Sequence, residues 1–251
     1  IIVFLFFNKV DVYLHNMKPA FEHTECKNCS YKHISVFCNT DLIKMEEIEK
    51  GKVCTSFKKG ETLFREGAYA SGVFCIYSGK VKLSMLGDEG KEQIVRMVKP
   101  GDIIGYKALI TGDRYSSSAI ALEDCNVCFI PREKFIEVLK KDAGLSFELM
   151  KVISDELKRA EGKITHLAQK PVRERVAETI LFLKETYGLD TDNHINVFLT
   201  REEIANLVGT ATETAIRLLS EFNKDHIIEL SGKKIKILNH DKLVKTANLF
   251  D

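Results

Sequence analysis

Apolar residues between Leu199 and Leu238 follow a pattern that predicts two short helices and a hairpin. The inward faces of the two helices would be formed by Ile204, Ala205, Leu207, Val208, Ala215, Leu218, Leu219 and Phe222. Gly209 supplies the positive-φ residue that ends the first helix. Apolar residues on both sides of a Ser-Gly turn at Ser231 predict the two strands. Two helices joined by a tight turn and followed by a hairpin are typical of a winged helix-turn-helix.

Polar residues predict where each of these two helices begins. Thr200 and Glu203 stand in the S/T-x-x-E relation of a capping box, which places the start of the first helix at Arg201. Thr210 and Glu213 stand in the same relation, so a second capping box is expected at the start of the second helix.

The outward face of the second helix carries side chains that suit the edges of DNA bases. Glu213, Ile216 and Arg217 project side by side because they stand at positions i, i+3 and i+4. Arginine pairs with guanine, glutamate accepts from cytosine, and an exposed apolar group contacts a thymine methyl. With the helix starts and the wing, the predicted DNA-binding residues are Arg201, Thr210, Thr212, Glu213, Ile216, Arg217, Ser220 and Lys233. Two capped helices of an ordinary helical core are the alternative.

The preceding part of the chain changes its periodicity at Pro131. Between residues 51 and 131, short apolar runs separated by glycines predict an antiparallel barrel or sandwich. A long helix is expected over 144–170, where apolar residues are spaced 3, 4, 3, 4, 3. They are Met150, Ile153, Leu157, Ala160, Ile164 and Leu167. This is the a/d seam of a two-stranded coiled coil, although a helix with a wider core-facing stripe would look similar over two heptads.

The net charge weakens the DNA-binding interpretation, whereas the local placement of lysines supports it. The whole chain has a net charge of +1, and from Lys170 onward 12 Lys and Arg face 13 Asp and Glu, a net of −1. Phosphate neutralisation carries much of the affinity for DNA, so a near-neutral domain is unfavourable. Lys233, Lys234 and Lys236 nevertheless concentrate positive charge in the predicted wing.

Composition excludes several other classes of protein. No run reaches the roughly 18 apolar residues of a membrane span. Seven cysteines without an export signal indicate the reduced cytoplasm and favour metal or redox chemistry over disulfides. The seven histidines are scattered, and neither a P-loop nor a His-Glu-x-x-His motif is present. An enzyme is therefore not expected.

Three segments carry a family resemblance: Gly60–Gly67 (GETLFREG), Pro100–Gly105 (PGDIIG) and Thr212–Leu219 (TETAIRLL). With the order of the elements, they make the chain resemble the CRP/FNR family of bacterial transcription regulators over about residues 26–240. The resemblance implies a homodimer, a cyclic-nucleotide-binding-type β-roll, and a recognition helix with Glu and Arg four apart, matched here by Glu213 and Arg217. Ile216 departs from the small residue of the best-known members, which puts the operator sequence in doubt.

The resemblance does not extend to the residues that bind cyclic AMP. Cyclic-AMP-binding members carry a Glu after their Gly-Asp-x-x-Gly segment and then an Arg-Ser pair. Here Tyr106 replaces the Glu, Ser116 or Ser117 replaces the Arg, and Arg114 is two or three residues out of step. A cyclic phosphodiester buried without its cation would be costly, so cyclic AMP is not expected.

The resemblance also implies a candidate iron–sulfur site. FNR-type members hold an oxygen-labile [4Fe–4S] cluster on three leader cysteines and one barrel cysteine, matched here by Cys26, Cys29, Cys38 and Cys128. Eight residues separate the second and third of these, where the best-known members have five, and a flexible leader can absorb the difference. Zinc would accept the same ligands, and Cys125 is a rival for the fourth. A dithiol switch, or small buried thiols with no cofactor, are further alternatives.

These patterns predict an α+β chain with an N-terminal antiparallel β-roll, a long dimerisation helix and a C-terminal winged helix-turn-helix. The expected segments are a leader at 1–25, a β-roll sensor with a cysteine-containing leader at 26–143, the dimerisation helix at 144–170 and the DNA-binding domain at 171–251. Within the leader, we expect Met17 to be the start and residues 1–16 an upstream extension, with an added strand as the alternative. The expected partners are double-stranded DNA, a second copy and RNA polymerase, in the cytoplasm. A C-terminal module that binds protein instead of DNA is the alternative.

Overall fold

The computed structural model describes residues 25–87 and 89–249. Met17 and the predicted upstream extension lie outside the described residues. The chain forms two compact units, one from residues up to Leu83 together with Arg96–Ser154, the other from Ser84–Val95 together with residues from Asp155. The division therefore falls inside the long helix rather than at either of its ends.

The first unit contains the β-roll that the glycine-separated apolar runs predict. Two short 3-10 helices, Cys26–Asn28 and Lys32–Ile34, precede helix α1 (Leu42–Gly51). The strands are β1 (Val53–Phe57), β2 (Thr62–Phe64), β3 (Gly72–Ser78), β4 (Val81–Leu86), β5 (Glu92–Val98), β6 (Ile103–Ile104), β7 (Ser118–Ala121) and β8 (Cys125–Pro131), with helix α2 (Tyr106–Thr111) after β6. They form two four-stranded sheets, ordered β1-β8-β3-β6 and β2-β7-β4-β5. The tip of the β4–β5 hairpin belongs to the second unit.

The interior of the roll combines aliphatic side chains with a group of packed aromatic rings. Phe64 stacks on Tyr115 with ring centroids 4.0 Å apart, and Phe74 packs against Phe129 at 5.0 Å. Gly72 allows β3 to lie close to β8, because a Cβ there would stand 2.3 Å from the carbonyl oxygen of Ile130. A side chain at this glycine would force the central strands apart.

Two helices follow the roll, α3 (Arg132–Lys141) and the 27-residue α4 (Ala143–Gln169). Asp142 stands between them and is buried, and its carboxylate accepts hydrogen bonds from the backbone N–H of Leu145 at 2.9 Å and of Asp41 at 3.3 Å. These bonds satisfy a donor at the start of α4 and tie the leader to it. Among the described residues of α4, only Leu145 and Leu149 are buried.

The second unit contains the predicted winged helix-turn-helix. Its elements are α5 (Val172–Tyr187), α6 (Arg201–Val208), α7 (Thr212–Lys224), β9 (Ile228–Ser231), β10 (Lys234–Ile237) and α8 (His240–Thr246). The eight predicted inward residues of α6 and α7 are all buried. Strands β9 and β10 pair antiparallel around Gly232, whose φ is 59°. Within the described ranges, no helix is both long and apolar enough to cross a membrane.

The first predicted capping box is confirmed and the second is wrong. The Thr200 side chain accepts from the N–H of Glu203 at 3.0 Å, and the Glu203 carboxylate accepts from the N–H of Thr200 at 2.8 Å. At α7 the N-cap is Ala211, and no side chain caps the helix. The reason is that the backbone N–H of Thr210 donates to the carbonyl of Ala205, so Thr210 still belongs to the turn that closes α6.

Gly209 ends α6 with a φ of 75°, and a Cβ there would lie 2.9 Å from Cδ2 of Leu167. We therefore predict that Gly209→Ala lowers the free energy of unfolding by at least about 1–2 kcal/mol, the cost of left-handed backbone for an L-residue. Urea denaturation followed by circular dichroism measures this.

The matched control is Gly162→Ala, in the interior of α4, where a Cβ would meet no atom within 4 Å. That substitution should leave the stability unchanged or raise it by up to about 1 kcal/mol, because alanine is the better helix former. Equal stability of the Gly209→Ala variant and the unsubstituted protein would contradict the account of the turn.

Candidate DNA-binding surface and cysteine cluster

Helix α7 presents the predicted reading face to solvent. Glu213, Ile216, Arg217 and Ser220 are exposed, while Thr212 at the first position of the helix is half-buried. The Ile216 side chain is 44% exposed and shares this outward face with Glu213 and Arg217. The exposed groups thus combine an acceptor, a guanidinium donor and an apolar contact on one surface.

Arg217 belongs to a chain of ion pairs that sequence reasoning did not find. Its Nη1 donates to Oε1 of Glu221 at 2.6 Å, and Oε2 of Glu221 accepts from Nη1 of Arg173 at 2.6 Å. Nη2 of Arg173 also donates to Asp225 at 3.3 Å. The Arg217 side chain is 62% exposed, so its pair with Glu221 is weak and exchangeable. The i, i+4 spacing could have revealed Glu221, whereas the contact with Arg173 is tertiary.

The predicted DNA contact Arg201 connects α6 to the wing. Its Nη2 donates to the carbonyl of Gly232 at 2.9 Å, and partial burial lowers the pKa of the guanidinium. Lys233, the next residue of that turn, is exposed. Arg201 therefore braces the turn that presents Lys233 to solvent. Thr210, the remaining predicted contact, is half-buried.

A second brace fixes the turn between α6 and α7. Nη2 of Arg175 donates to the carbonyl of Gly209 at 3.2 Å, and its Nη1 donates to the carbonyl of Leu167 at 3.0 Å. The Leu167 side chain also lies against Gly209. One guanidinium thus holds the end of α4 and the helix-turn-helix together within the second unit.

The six predicted seam residues of α4 are all exposed. Leu157 is 59% exposed and Ile164 is 67% exposed, and Phe147, one turn before Met150, adds a further apolar side chain that the sequence reading missed. An exposed apolar stripe of this length is typical of an interaction surface.

The sheet register places three cysteines in one row. Cys128 of β8 lies directly opposite Cys54 of β1 and directly opposite Cys75 of β3. Residues paired in this way point to the same face of a sheet. The Sγ atoms of Cys54 and Cys128 are 3.7 Å apart, and both cysteines are free.

The leader brings two more thiols to this face. A pocket in the first unit is lined by Cys26, Cys29, Cys75, Cys128 and Lys52, together with apolar and aromatic side chains. The backbone N–H of Cys26 donates to Glu49 at 3.1 Å, and Nζ of Lys52 donates to Sγ of Cys26 at 3.3 Å. Burial raises the pKa of Cys26 against the opposing charge of Lys52, and burial also raises the pKa of Cys75. Metal binding would therefore displace protons from these thiols.

Two of the cysteines considered from the sequence lie elsewhere. Cys38 is not among the residues that line this pocket. Cys125 points to the other face of β8, because it is three residues from Cys128 on a strand. Its Sγ contacts the carbonyls of Lys80 at 3.3 Å and Glu123 at 3.1 Å, and burial raises its pKa to about 11. Cys125, the alternative fourth ligand, is thus held within the roll by these contacts.

The thiols are not arranged for a single zinc ion. Tetrahedral zinc with bonds of about 2.3 Å requires sulfur atoms about 3.8 Å apart. Within the described ranges, no three thiols lie within 4.8 Å of one another. The one trio of potential ligands there that does is Asp190, Asp192 and His194. Nζ of Lys234 already lies 3.9 Å and 3.8 Å from the two carboxylates, so part of their negative charge is offset.

Comparisons with known proteins agree with this geometry. The family model for a cyclic nucleotide-binding domain matches residues 54–142, and that for a Crp-like helix-turn-helix domain matches residues 174–246. A β-roll and a Crp-like helix-turn-helix in one chain define the class of sensor-linked transcription regulators.

Full-length relatives identify the family. The chain is 31% identical over 229 residues to the fumarate and nitrate reduction regulatory protein of Vibrio cholerae, covering 89% of this chain and 90% of that protein. It is 30% identical to the transcriptional activator FnrA of Stutzerimonas stutzeri, covering 88% and 91%. The solved structure of FixK2 from Bradyrhizobium japonicum matches with a TM-score of 0.71 and 25% identity, covering 80% and 99%. The chain belongs to the CRP/FNR family of transcription regulators.

We predict that a charged residue introduced into the exposed seam of α4 prevents dimerisation. Ile164→Glu should convert a dimer into a monomer, because burying an unpaired carboxylate in an apolar interface is costly. Light scattering coupled to size-exclusion chromatography measures the mass. Thr165→Glu is the control, since it adds the same charge at a neighbouring exposed position outside the seam. A dimer that survives Ile164→Glu would show that α4 does not form the interface.

Proposed function

We propose that this CRP/FNR-type regulator acts as a homodimer that reads a palindromic operator through α7 and the wing. The observation that carries the proposal is the shared exposure of Glu213, Ile216 and Arg217 on the first turns of α7. A two-fold dimer would present two such helices to half-sites about 34–36 Å apart. We expect each half-site to keep a G·C pair for Glu213 and Arg217.

The charges of the second unit support different roles for Arg217 and Lys233. Arg217 offers its guanidinium to a base once the exposed pair with Glu221 opens, and Arg173 stays beside Glu221 to balance its charge. Lys233 at the wing turn is placed to meet phosphate, which positions the protein without selecting a sequence. Localised charge of this kind compensates for the near-neutral C-terminal region.

We also propose an iron–sulfur cluster as the sensing group, at the pocket lined by the leader thiols and Cys128. The donor set fits: four thiols line the pocket, and a cluster takes four thiolates. When bound, the cluster would supply a centre that responds to oxygen or redox state. Lys52 would offset part of the negative charge, and Glu49 would hold the leader through the N–H of Cys26.

The remaining parts of the proposal follow from DNA binding. The protein would act in the cytoplasm, where its operator lies, and RNA polymerase is the expected further partner. No catalytic role is proposed, since the relatives named above are regulators. Cyclic AMP is not proposed as the signal, because Arg114 is occupied. It donates to the carbonyl of Gly67 at 2.8 Å and lies over the ring of Tyr69.

Removing the guanidinium of Arg217 should abolish operator preference. We predict that Arg217→Ala weakens binding to an operator selected from random duplexes by about 1–3 kcal/mol, with a much smaller loss on random duplex. Fluorescence anisotropy, with and without anaerobic reconstitution, measures both affinities. Lys224→Ala, which removes the same charge from the far end of α7, should retain discrimination. Unchanged discrimination by Arg217→Ala would contradict the reading role.

Lys233 should contribute to the binding of DNA whatever the DNA sequence is. We predict that Lys233→Ala weakens operator and random duplex equally and lowers the salt slope of log K by about 1. Titrations at several salt concentrations measure the slope, with Lys245→Ala on α8 as the control. Salt-insensitive binding, or no detectable duplex binding in any state, would favour a C-terminal module that binds protein.

A further inference from the structure

We propose that Cys75, and not Cys38, completes the ligand set of the cluster, with Cys26, Cys29 and Cys128. This inference rests on the proposed cofactor and names the residues that hold it. It departs from the set that the family resemblance implies, in which the third leader cysteine serves as a ligand.

The register of the sheet places Cys75 beside Cys128. Cys75 lies directly opposite Cys128 on the neighbouring strand, so the two side chains share a face with their Cβ atoms about 4.5–5.5 Å apart. Both line the pocket that also receives Cys26 and Cys29. A fourth thiol therefore stands beside the barrel cysteine on a rigid element, which holds a ligand more accurately than a loop does.

The leader on both sides of Cys38 is held in place. The two residues before it, Val36 and Phe37, are buried in the core of the roll, and Thr40 after it is buried as well. The N–H of Asp41 is bound to Asp142. Phe37 itself lines the pocket, so Cys38 could enter it only by displacing Phe37 and withdrawing its buried neighbours from the core. The eight residues between Cys29 and Cys38 therefore form a structured connection rather than a flexible one.

Cys75 and Cys54 both lie opposite Cys128, but they differ in their access to the pocket. Cys54 also faces Cys128 across a strand pair, with Sγ atoms 3.7 Å apart, but it is buried and does not line the pocket. Of the two thiols that flank the barrel cysteine, Cys75 is the one that faces the leader cysteines.

The test is anaerobic reconstitution of single variants with iron and sulfide, followed by iron and sulfide assays and visible absorption. The unsubstituted protein, Cys38→Ser and Cys54→Ser should each bind about four iron and four sulfide per chain. Cys75→Ser should lose most of its iron and its visible absorption. Full cluster content in Cys75→Ser, or loss of the cluster in Cys38→Ser, would overturn the inference while leaving the proposed cofactor in place.

A labelling experiment avoids any folding defect of the variants. The loaded, unsubstituted protein is treated anaerobically with iodoacetamide, and modified cysteines are identified by mass spectrometry. Cys38 should be alkylated and Cys75 protected, with Cys75 becoming reactive once chelator and denaturant are added. Protection of Cys38 in the loaded protein would overturn the ligand assignment. A reconstituted, unsubstituted protein that holds no iron would overturn the cofactor proposal itself, and the assignment with it.

Discussion

The apolar seam of α4 is the constraint on which the rest of the molecule depends. A single chain leaves the whole stripe in water, from Met150 to Leu167. Burying each leucine, isoleucine or methionine contributes about 1.5–3 kcal/mol, so a second helix of the same kind offers a large gain. A self-complementary interface closes with two-fold symmetry. That symmetry is what would turn one reading helix into a pair and one half-site into a palindrome.

The outward face of α7 carries charges that neutralise one another in the free protein. Glu221 lies between Arg217 on its own helix and Arg173 on α5, so the guanidinium of Arg217 is held in place without being buried. The wing turn is fixed in a similar way by the donation of Arg201 to Gly232. Arg217 is thus positioned by Glu221, and the wing turn by Arg201.

Local patterns predicted much of the fold because they depend on neighbouring residues. The capping box at Thr200, the left-handed Gly209 and the inward faces of α6 and α7 all follow from spacing along the chain. The second capping box failed because the backbone of Thr210 is still bound to the preceding helix, which the S/T-x-x-E pattern cannot show. Cys75 was overlooked as a candidate ligand because its position opposite Cys128 depends on strand register, a tertiary property.

The proposed two-fold dimer would place two copies of α7 in successive major grooves. Hydroxyl-radical footprinting of the purified protein on a selected operator tests it most directly. We expect two sets of protected sugars related by a dyad, with their centres about one helical turn, or 10–10.5 base pairs, apart. Protection of a single half-site, or protection without two-fold symmetry, would contradict it.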